Sequence, residues 1–323
     1  MERIKIEGAE RSVEETVKEI RAGRATAPDT SDCFPMEAIA KKKIPKKKIP
    51  KKKVSTYAYI YHGDCVEELK NVKAESVDLI ITSPPYSDQR KASYGGVKAE
   101  KYVEWFLPIG EELKRVLKPD GTFILNIKEK VVNGERHTYV MELIMALREQ
   151  GWLWTEEFIW HKKTAFPGKW PNRFRDAWER MLQFNKQKKF NMYQDEVMVP
   201  IGEWAAKRIP SLSEADKRRR ESNSGSQMSR QVANWENRDM VYPTNVLHLS
   251  TETSNKGHSA VFPRSLPEWF IRLFSKEGDT VLDPFMGSGT TVVEALSQGR
   301  IGIGIEKKEE YYIDAKKRIR KGL

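Results

Sequence analysis

The stretch "DTVLDPFMGSGTTVVEALSQGRIGIGIE" (residues 279–306) leaves few folds open. A short apolar run ends at Asp283. Gly287 and Gly289 permit a tight turn, "TTVVEALSQG" has helical spacing and closes at Gly299, and "RIGIGIE" is a second apolar run. Two strands joined through a helix run parallel, with the helix laid over one face of their sheet. The same alternation runs upstream. "TYAYIYHGD" (56–64) reads as a strand, "CVEELKNV" as a short helix and "SVDLIITS" as a strand. Residues 99–121 have helical spacing around an internal proline and close at a Pro-Asp-Gly turn. "TFILNIK" reads as a strand, "TYVMELIMALREQG" as a helix ending at Gly151, "WLWTEEFIWHKK" and "WERMLQFNK" (178–186) as strands, and "EEYYIDAKKRIRKG" as a last helix. The expected fold class is α/β: a doubly wound, mostly parallel sheet with helices on both faces. Ligands of such sheets sit at the carboxyl ends of the strands, near a topological switch point.

Charge divides the chain further. The net charge is +11, but residues 1–40 carry six basic and nine acidic groups, and residues 41–53 carry nine lysines and no acid. The lysines form the repeat "KKKIPKKKIPKKKVS". Proline every fifth residue and mutual repulsion forbid a regular helix, so this reads as an extended linker following a short helix at about residues 10–22. It serves either as a nonspecific tether to a polyanion such as DNA or as a solvated spacer. Residues 1–53 thus form an N-terminal extension. No apolar stretch approaches the ~20 residues needed to span a bilayer, and the N-terminus lacks the apolar core of a secretory signal. Two cysteines without a CxxC pair, and five histidines without HxxxH spacing, predict no disulfide framework and no metal, with a cytoplasmic location as the default.

The interval 187–245 breaks the alternation. It contains "KRRRESNSGSQMSRQVANWENRD", and residues 186–238 carry 11 basic and seven acidic groups with Trp204 and Trp235 among them. Residues 162–180 add six basic and two acidic groups. Basic groups, amides and aromatics suit nucleic-acid contact, and Arg218, Arg219, Arg220 and Arg230 are the candidates here. A solvated loop is the alternative.

Two motifs carry the chemistry. "DLIITSPPY" (78–86) ends a strand on Ser83-Pro84-Pro85-Tyr86, where two locked φ angles fix the direction of a carbonyl. In "DPFMGSGTT" (283–291) the glycines let a ligand approach the backbone at a helix start. Position 292 is valine where a dinucleotide fingerprint has its third glycine, and Glu306 follows Asp283 by 23 residues. A carboxylate at Glu306 can accept from both hydroxyls of a ribose.

Together these motifs resemble the beta group of amino methyltransferases acting on exocyclic amines in DNA. The resemblance spans roughly residues 56–320 in the permuted order catalytic half (54–186), inserted target-recognition region (187–245), cofactor half (246–323). It implies a Rossmann-like S-adenosylmethionine-dependent fold and double-stranded DNA as substrate. It further implies either a place in a restriction–modification system, with a cognate restriction endonuclease as functional partner, or an orphan modification enzyme, and a monomer or homodimer. Ser83, Pro84, Pro85 and Tyr86 match the catalytic motif. Asp283, Pro284, Phe285, Gly287, Ser288, Gly289, Thr290 and Thr291 match the S-adenosylmethionine loop, with Glu306 beyond it. Phe262 and Pro263 stand where adenine enzymes of the group commonly have Lys-Pro. With Ser at position 83 rather than Asp, this form is similar to enzymes that methylate cytosine N4.

The resemblance also gives Asp64 a contact with the adenine end of the cofactor; helix capping is the alternative. Trp160 is a candidate wall of the base pocket or a core residue, and Arg90 and Lys91 lie in a loop over the site. The implied mechanism is direct transfer to a flipped base, with Ser83 Oγ and the Pro84 carbonyl accepting from the amine and Tyr86 stacking on the ring. Adenine-N6 methylation is the nearest alternative. A nicotinamide oxidoreductase is opposed by the missing third glycine, and a non-catalytic DNA-binding protein by the intact motifs.

Overall fold

The computed structural model describes residues 1–6, 56–87, 96–164, 168–169, 171–202, 207, 211–213, 239–251 and 262–321. The strands of the main sheet are β1 (Glu2–Ile6), β2 (Thr56–His62), β3 (Val77–Thr82), β4 (Leu117–Ile127), β5 (Leu153–Lys162), β6 (Trp178–Asn185), β7 (Val246–Leu249), β8 (Thr280–Asp283) and β9 (Ile301–Glu306). Among the described residues the α-helices are α1 (Cys65–Leu69), α2 (Tyr102–Val116), α3 (Tyr139–Glu149), α4 (Ser265–Phe274), α5 (Thr290–Ser297) and α6 (Glu309–Lys321).

Nine strands form one sheet in the order β1-β2-β9-β8-β3-β4-β6-β5-β7. Only β1 and β6 run against the rest. The expected α/β class with a mostly parallel sheet is therefore what the chain forms. Each central strand is apolar on both faces because both are covered. Ile80 packs towards α1, α2 and α3, while Leu79 and Ile81 pack towards α4. A third cluster joins Ala58 and Ile60 to Val292 of α5 and Ile319 of α6.

From β3 the chain crosses through α2 to β4; from β8 it crosses through α5 to β9, on the opposite side. The switch point therefore lies between β3 and β8, which are direct neighbours. This places Ser83-Pro84-Pro85-Tyr86 and Pro284-Phe285-Met286-Gly287 side by side at the carboxyl edge, although 200 residues separate them in sequence.

Three features depart from the sequence reading. First, the N-terminal segment is part of the sheet: β1 pairs antiparallel with β2 from Glu2↔Ile60 to Ile6↔Thr56. Glu2 is held by Lys316 and Arg320 of α6, and the Arg3 guanidinium lies 4.0 Å from the Tyr57 ring centroid. Second, α2 stops at Val116, and Pro119-Asp120-Gly121 lies within β4. Extra residues are accommodated there by a register shift against β3, from Val77↔Leu117 to Leu79↔Thr122. Third, "SLPEWFIRLF" forms α4 and "VLHL" forms the edge strand β7, neither of which the periodicity reading assigned. The expected helix at 10–22, the lysine repeat, and most of the target-recognition region lie outside the described residues.

Candidate active site

A cleft of about 810 Å³ opens at the switch point. It has the size of a small-molecule site. The sequence candidates Asp64, Ser83, Pro84, Pro85, Tyr86, Trp160, Phe262, Asp283, Pro284, Phe285, Gly287, Ser288, Thr290 and Glu306 all line it. Pro263, Gly289 and Thr291 are buried and support the lining instead. Arg90, Lys91, Arg218, Arg219, Arg220 and Arg230 lie outside the described residues.

One hydrogen bond ties the two motifs together across the switch point. Thr82 Oγ1 donates to Asp283 Oδ1 at 2.7 Å, while Thr291 Oγ1 donates to Asp283 Oδ2 at 2.8 Å and the Phe285 N–H to Oδ1 at 3.1 Å. These bonds favour the carboxylate, but burial outweighs them and pushes the Asp283 carboxyl up to about 6. Asp283 thus closes the first turn after β8 and pins it to β3.

The glycine turn is shaped by its neighbours. Gly289 sits at φ 80°, a left-handed conformation, and a Cβ there would lie 3.2 Å from Ala315 Cβ of α6. Gly287 N–H donates to Glu306 Oε2 at 2.8 Å, and Lys308 N–H to Oε1 at 2.8 Å. The Gly289 N–H bonds to the Met286 carbonyl at 2.8 Å. Two N–H groups of the glycine turn therefore have protein partners already. Glu306 is 4% exposed, and burial raises its pKa above the ordinary carboxylate value. The Lys307 N–H also bonds to this carboxylate, which with about four lone-pair sites keeps some acceptor capacity. A Cβ on Gly287 meets no protein atom within 4 Å, so the backbone there borders open space in the cleft. A buried carboxylate, a bare backbone turn and aromatic walls fit an adenosine-bearing cofactor.

Asp64 both caps and borders. Its Oδ1 accepts from the Val66 N–H at 3.1 Å as the N-cap of α1, and its Oδ2 pairs with Lys307 at 3.1 Å on the cleft rim. Phe285 packs against Trp105 with ring centroids 5.8 Å apart.

Ser83-Pro84-Pro85-Tyr86 is tethered on several sides. Tyr102 O–H donates to the Pro85 carbonyl at 3.0 Å. Tyr86 O–H donates to Glu179 Oε2 at 2.6 Å, and Ser83 O–H to the Tyr86 oxygen at 3.4 Å. Lys162 pairs with the other Glu179 oxygen. Burial, then the charge and hydrogen bond of Glu179, hold the Tyr86 phenol well above its ordinary pKa, so it remains a donor. Trp160 lines the same cleft and is 4% exposed, with Nε1 donating to the Leu249 carbonyl at 3.1 Å. The Lys162 ammonium stands 4.9 Å from its ring centroid.

Sequence reasoning missed Glu179, Lys162, Asn126 and Trp105, all of which line the cleft. Asn126 is 2% exposed, and its Oδ1 has no hydrogen-bond partner. Alternation within β4 puts Asn126 on the face opposite Leu125, which was the only available signal. The basic segment 162–180 is also less available for DNA than its charge suggests. Lys162 is held by Glu179, and Arg180 by Glu129 and Glu157. Cys65 is buried, which pushes its thiol up to about 12 and leaves it chemically inert at neutral pH.

A mainly parallel sheet with this cleft at its switch point defines the class: a Rossmann-like methyltransferase fold. The family of N6/N4-type DNA methylases matches residues 77–317. The type II methyltransferase M.PvuII of Proteus hauseri is 32% identical over 285 residues, which cover 78% of this chain and 80% of that protein. M.SmaI of Serratia marcescens is 28% identical over 291 residues, 80% of this chain and 89% of that one. Among solved structures, PvuII DNA methyltransferase (cytosine-N4-specific) superposes with a TM-score of 0.61 at 28% identity, covering 80% of this chain and 85% of that chain. A putative DNA modification methylase of Thermus thermophilus, solved with S-adenosyl-L-methionine, shares the fold with a TM-score of 0.53 at 23% identity, covering 82% and 93%. The chain belongs to the N6/N4 DNA methylase family, the amino methyltransferases of DNA that use S-adenosylmethionine as methyl donor.

Proposed function

We propose that this chain methylates the N4 amine of cytosine in duplex DNA. The observation that carries the reading is Ser83-Pro84-Pro85-Tyr86 at the mouth of the cleft, with a hydroxyl at position 83, joined by similarity to a cytosine-N4-specific enzyme over four fifths of the chain. The cofactor supplies an electrophilic methyl group on a sulfonium. The chain's own residues bind and orient. Glu306, through its remaining lone pairs, and Asp64 hold the adenosine end. The turn Asp283–Thr291 holds the rest, with Phe262 and Pro263 packed beside it.

The amine lone pair is delocalised into the ring, so the nitrogen is a poor nucleophile until its N–H groups are held by acceptors. Ser83 Oγ and the Pro84 carbonyl serve as those acceptors, with Asn126 Oδ1 a further one on the cleft wall. Tyr86 and Trp160 flank the ring of a base flipped from the duplex. Transfer is direct, without a covalent link to the protein. The enzyme works in the cytoplasm, alongside a cognate restriction endonuclease or as an orphan modification enzyme, as a monomer or homodimer. Among the described residues, no helix is long and apolar enough to cross a membrane.

The test is incubation with plasmid and S-adenosylmethionine, digestion to nucleosides and mass spectrometry. N4-methylcytosine is expected. N6-methyladenine, the other product that the family makes, would overturn the choice of base and leave the enzyme class intact.

A further inference from the structure

We infer that Glu179 is a positioning residue that sets the direction of the hydrogen-bond chain ending at Ser83, so that the Ser83 hydroxyl meets the target amine as an acceptor. The inference rests on the methyl-transfer reading and adds a residue from β6, outside both motifs. A carboxylate can only accept. Tyr86 has one hydroxyl proton, and at 2.6 Å it goes to Glu179 Oε2. The phenol oxygen then has only lone pairs to offer, and Ser83 donates to it from 3.4 Å. That commits the one proton of Ser83 and leaves its own lone pairs facing the cleft. An exocyclic amine presents N–H groups, so this is the polarity it requires.

Lys162 makes the arrangement directional from the far side. It is a pure donor and occupies the other Glu179 oxygen. In Glu179→Gln, Lys162 therefore keeps the amide oxygen, and the amide NH₂ turns towards Tyr86. The chain reverses: the amide donates to Tyr86, Tyr86 to Ser83, and the Ser83 proton points at the amine. Donor then meets donor at the reacting atom. The change is isosteric and leaves the cofactor turn, on the other motif, untouched.

The experiment uses the full chain with duplex DNA, S-adenosylmethionine and single-turnover kinetics. Wild-type transfer is measured first. Glu179→Gln is expected to lower the transfer rate at least tenfold, with cofactor affinity by calorimetry within twofold of wild type and an unchanged melting temperature. Tyr86→Phe keeps the ring and cuts the chain, so in that background Glu179→Gln is expected to change the rate less than twofold. Should Glu179→Gln fail to fold, Tyr86→Phe alone reads the chain from its middle and is expected to slow transfer at least threefold. An active wild type with Glu179→Gln within twofold of it, a full tenfold loss that persists in the Tyr86→Phe background, or a neutral Tyr86→Phe overturns the inference alone. A wild type that methylates neither base overturns the methyl-transfer reading, and this inference with it.

Discussion

Asp283 accepts three hydrogen bonds and is still driven towards its neutral form by burial. Its pKa is raised on folding, from 3.8 to about 6. Between those values the folded chain keeps a proton that the unfolded chain has released, so stability falls as pH rises through the window and levels off above it. The span corresponds to about 3 kcal/mol. Asp283→Asn removes the titration. Melting temperatures of wild type and variant, followed from pH 4 to 7, should converge as the pH rises if wild type starts higher, or diverge in favour of Asn if it starts level; parallel profiles would reject the assignment. Two further substitutions separate chemistry from binding. Ser83→Ala should slow methyl transfer by a hundredfold or so with cofactor affinity nearly intact, since it removes the polar group proposed to meet the amine. Glu306→Ala should weaken cofactor binding at least tenfold, because it strips the partners of Gly287 and Lys308 as well as the proposed ribose acceptor. Calorimetry and single-turnover rates read both; equal loss of cofactor affinity in the two variants would contradict the roles.

At the scale of elements, the glycine turn proposed to hold the cofactor is fitted to β9 by absent side chains. A Cβ at Gly304 would lie 2.2 Å from Met286 Sδ and 2.9 Å from Val292 Cγ2. Gly304→Val should therefore lower stability by roughly 1–3 kcal/mol and weaken cofactor binding with it, because the displaced atoms belong to the turn itself. Denaturant melts with and without S-adenosylmethionine would show both effects. Most central elements were legible because their signals are local: two-residue alternation in strands, glycine closing α3 and α5, a Gly-Ser-Gly turn before a helix. The boundary after α2 was not. Pro119-Asp120-Gly121 has the composition of a turn, yet the strand runs through it, because the register shift that absorbs it is made by β3, far away in sequence. β1 and β7 are edge strands of four or five residues, whose assignment depends on a partner rather than on periodicity. Likewise Glu179 reads as an ordinary outward residue of β6 until Tyr86, 93 positions earlier, is placed against it.

For the whole molecule, the sequence located the two motifs but not the bond between Thr82 and Asp283 that makes them one site, since that contact is a product of the topological switch. The distribution of charge gives a prediction at this scale. Replacing the nine lysines of residues 41–53 by glutamine should flatten the salt dependence of DNA binding while leaving the transfer rate at saturating DNA within twofold, if the segment acts as a polyanion tether. A salt slope unchanged from wild type would leave it a spacer.

The pairing of β1 with β2 bears on that same segment. Ile6 and Thr56 are direct partners at the edge of the sheet, so the two residues that flank the segment 7–55 lie side by side. The segment is held at both ends. Forty-nine residues with one free end reach at most about 170 Å, at about 3.5 Å each; a path that must return reaches at most about half of that, near 85 Å. The lysines reach less far still: Lys41 stands fifteen residues before Thr56, so whatever they touch lies within about 53 Å of that edge of the sheet, at about 3.5 Å per residue.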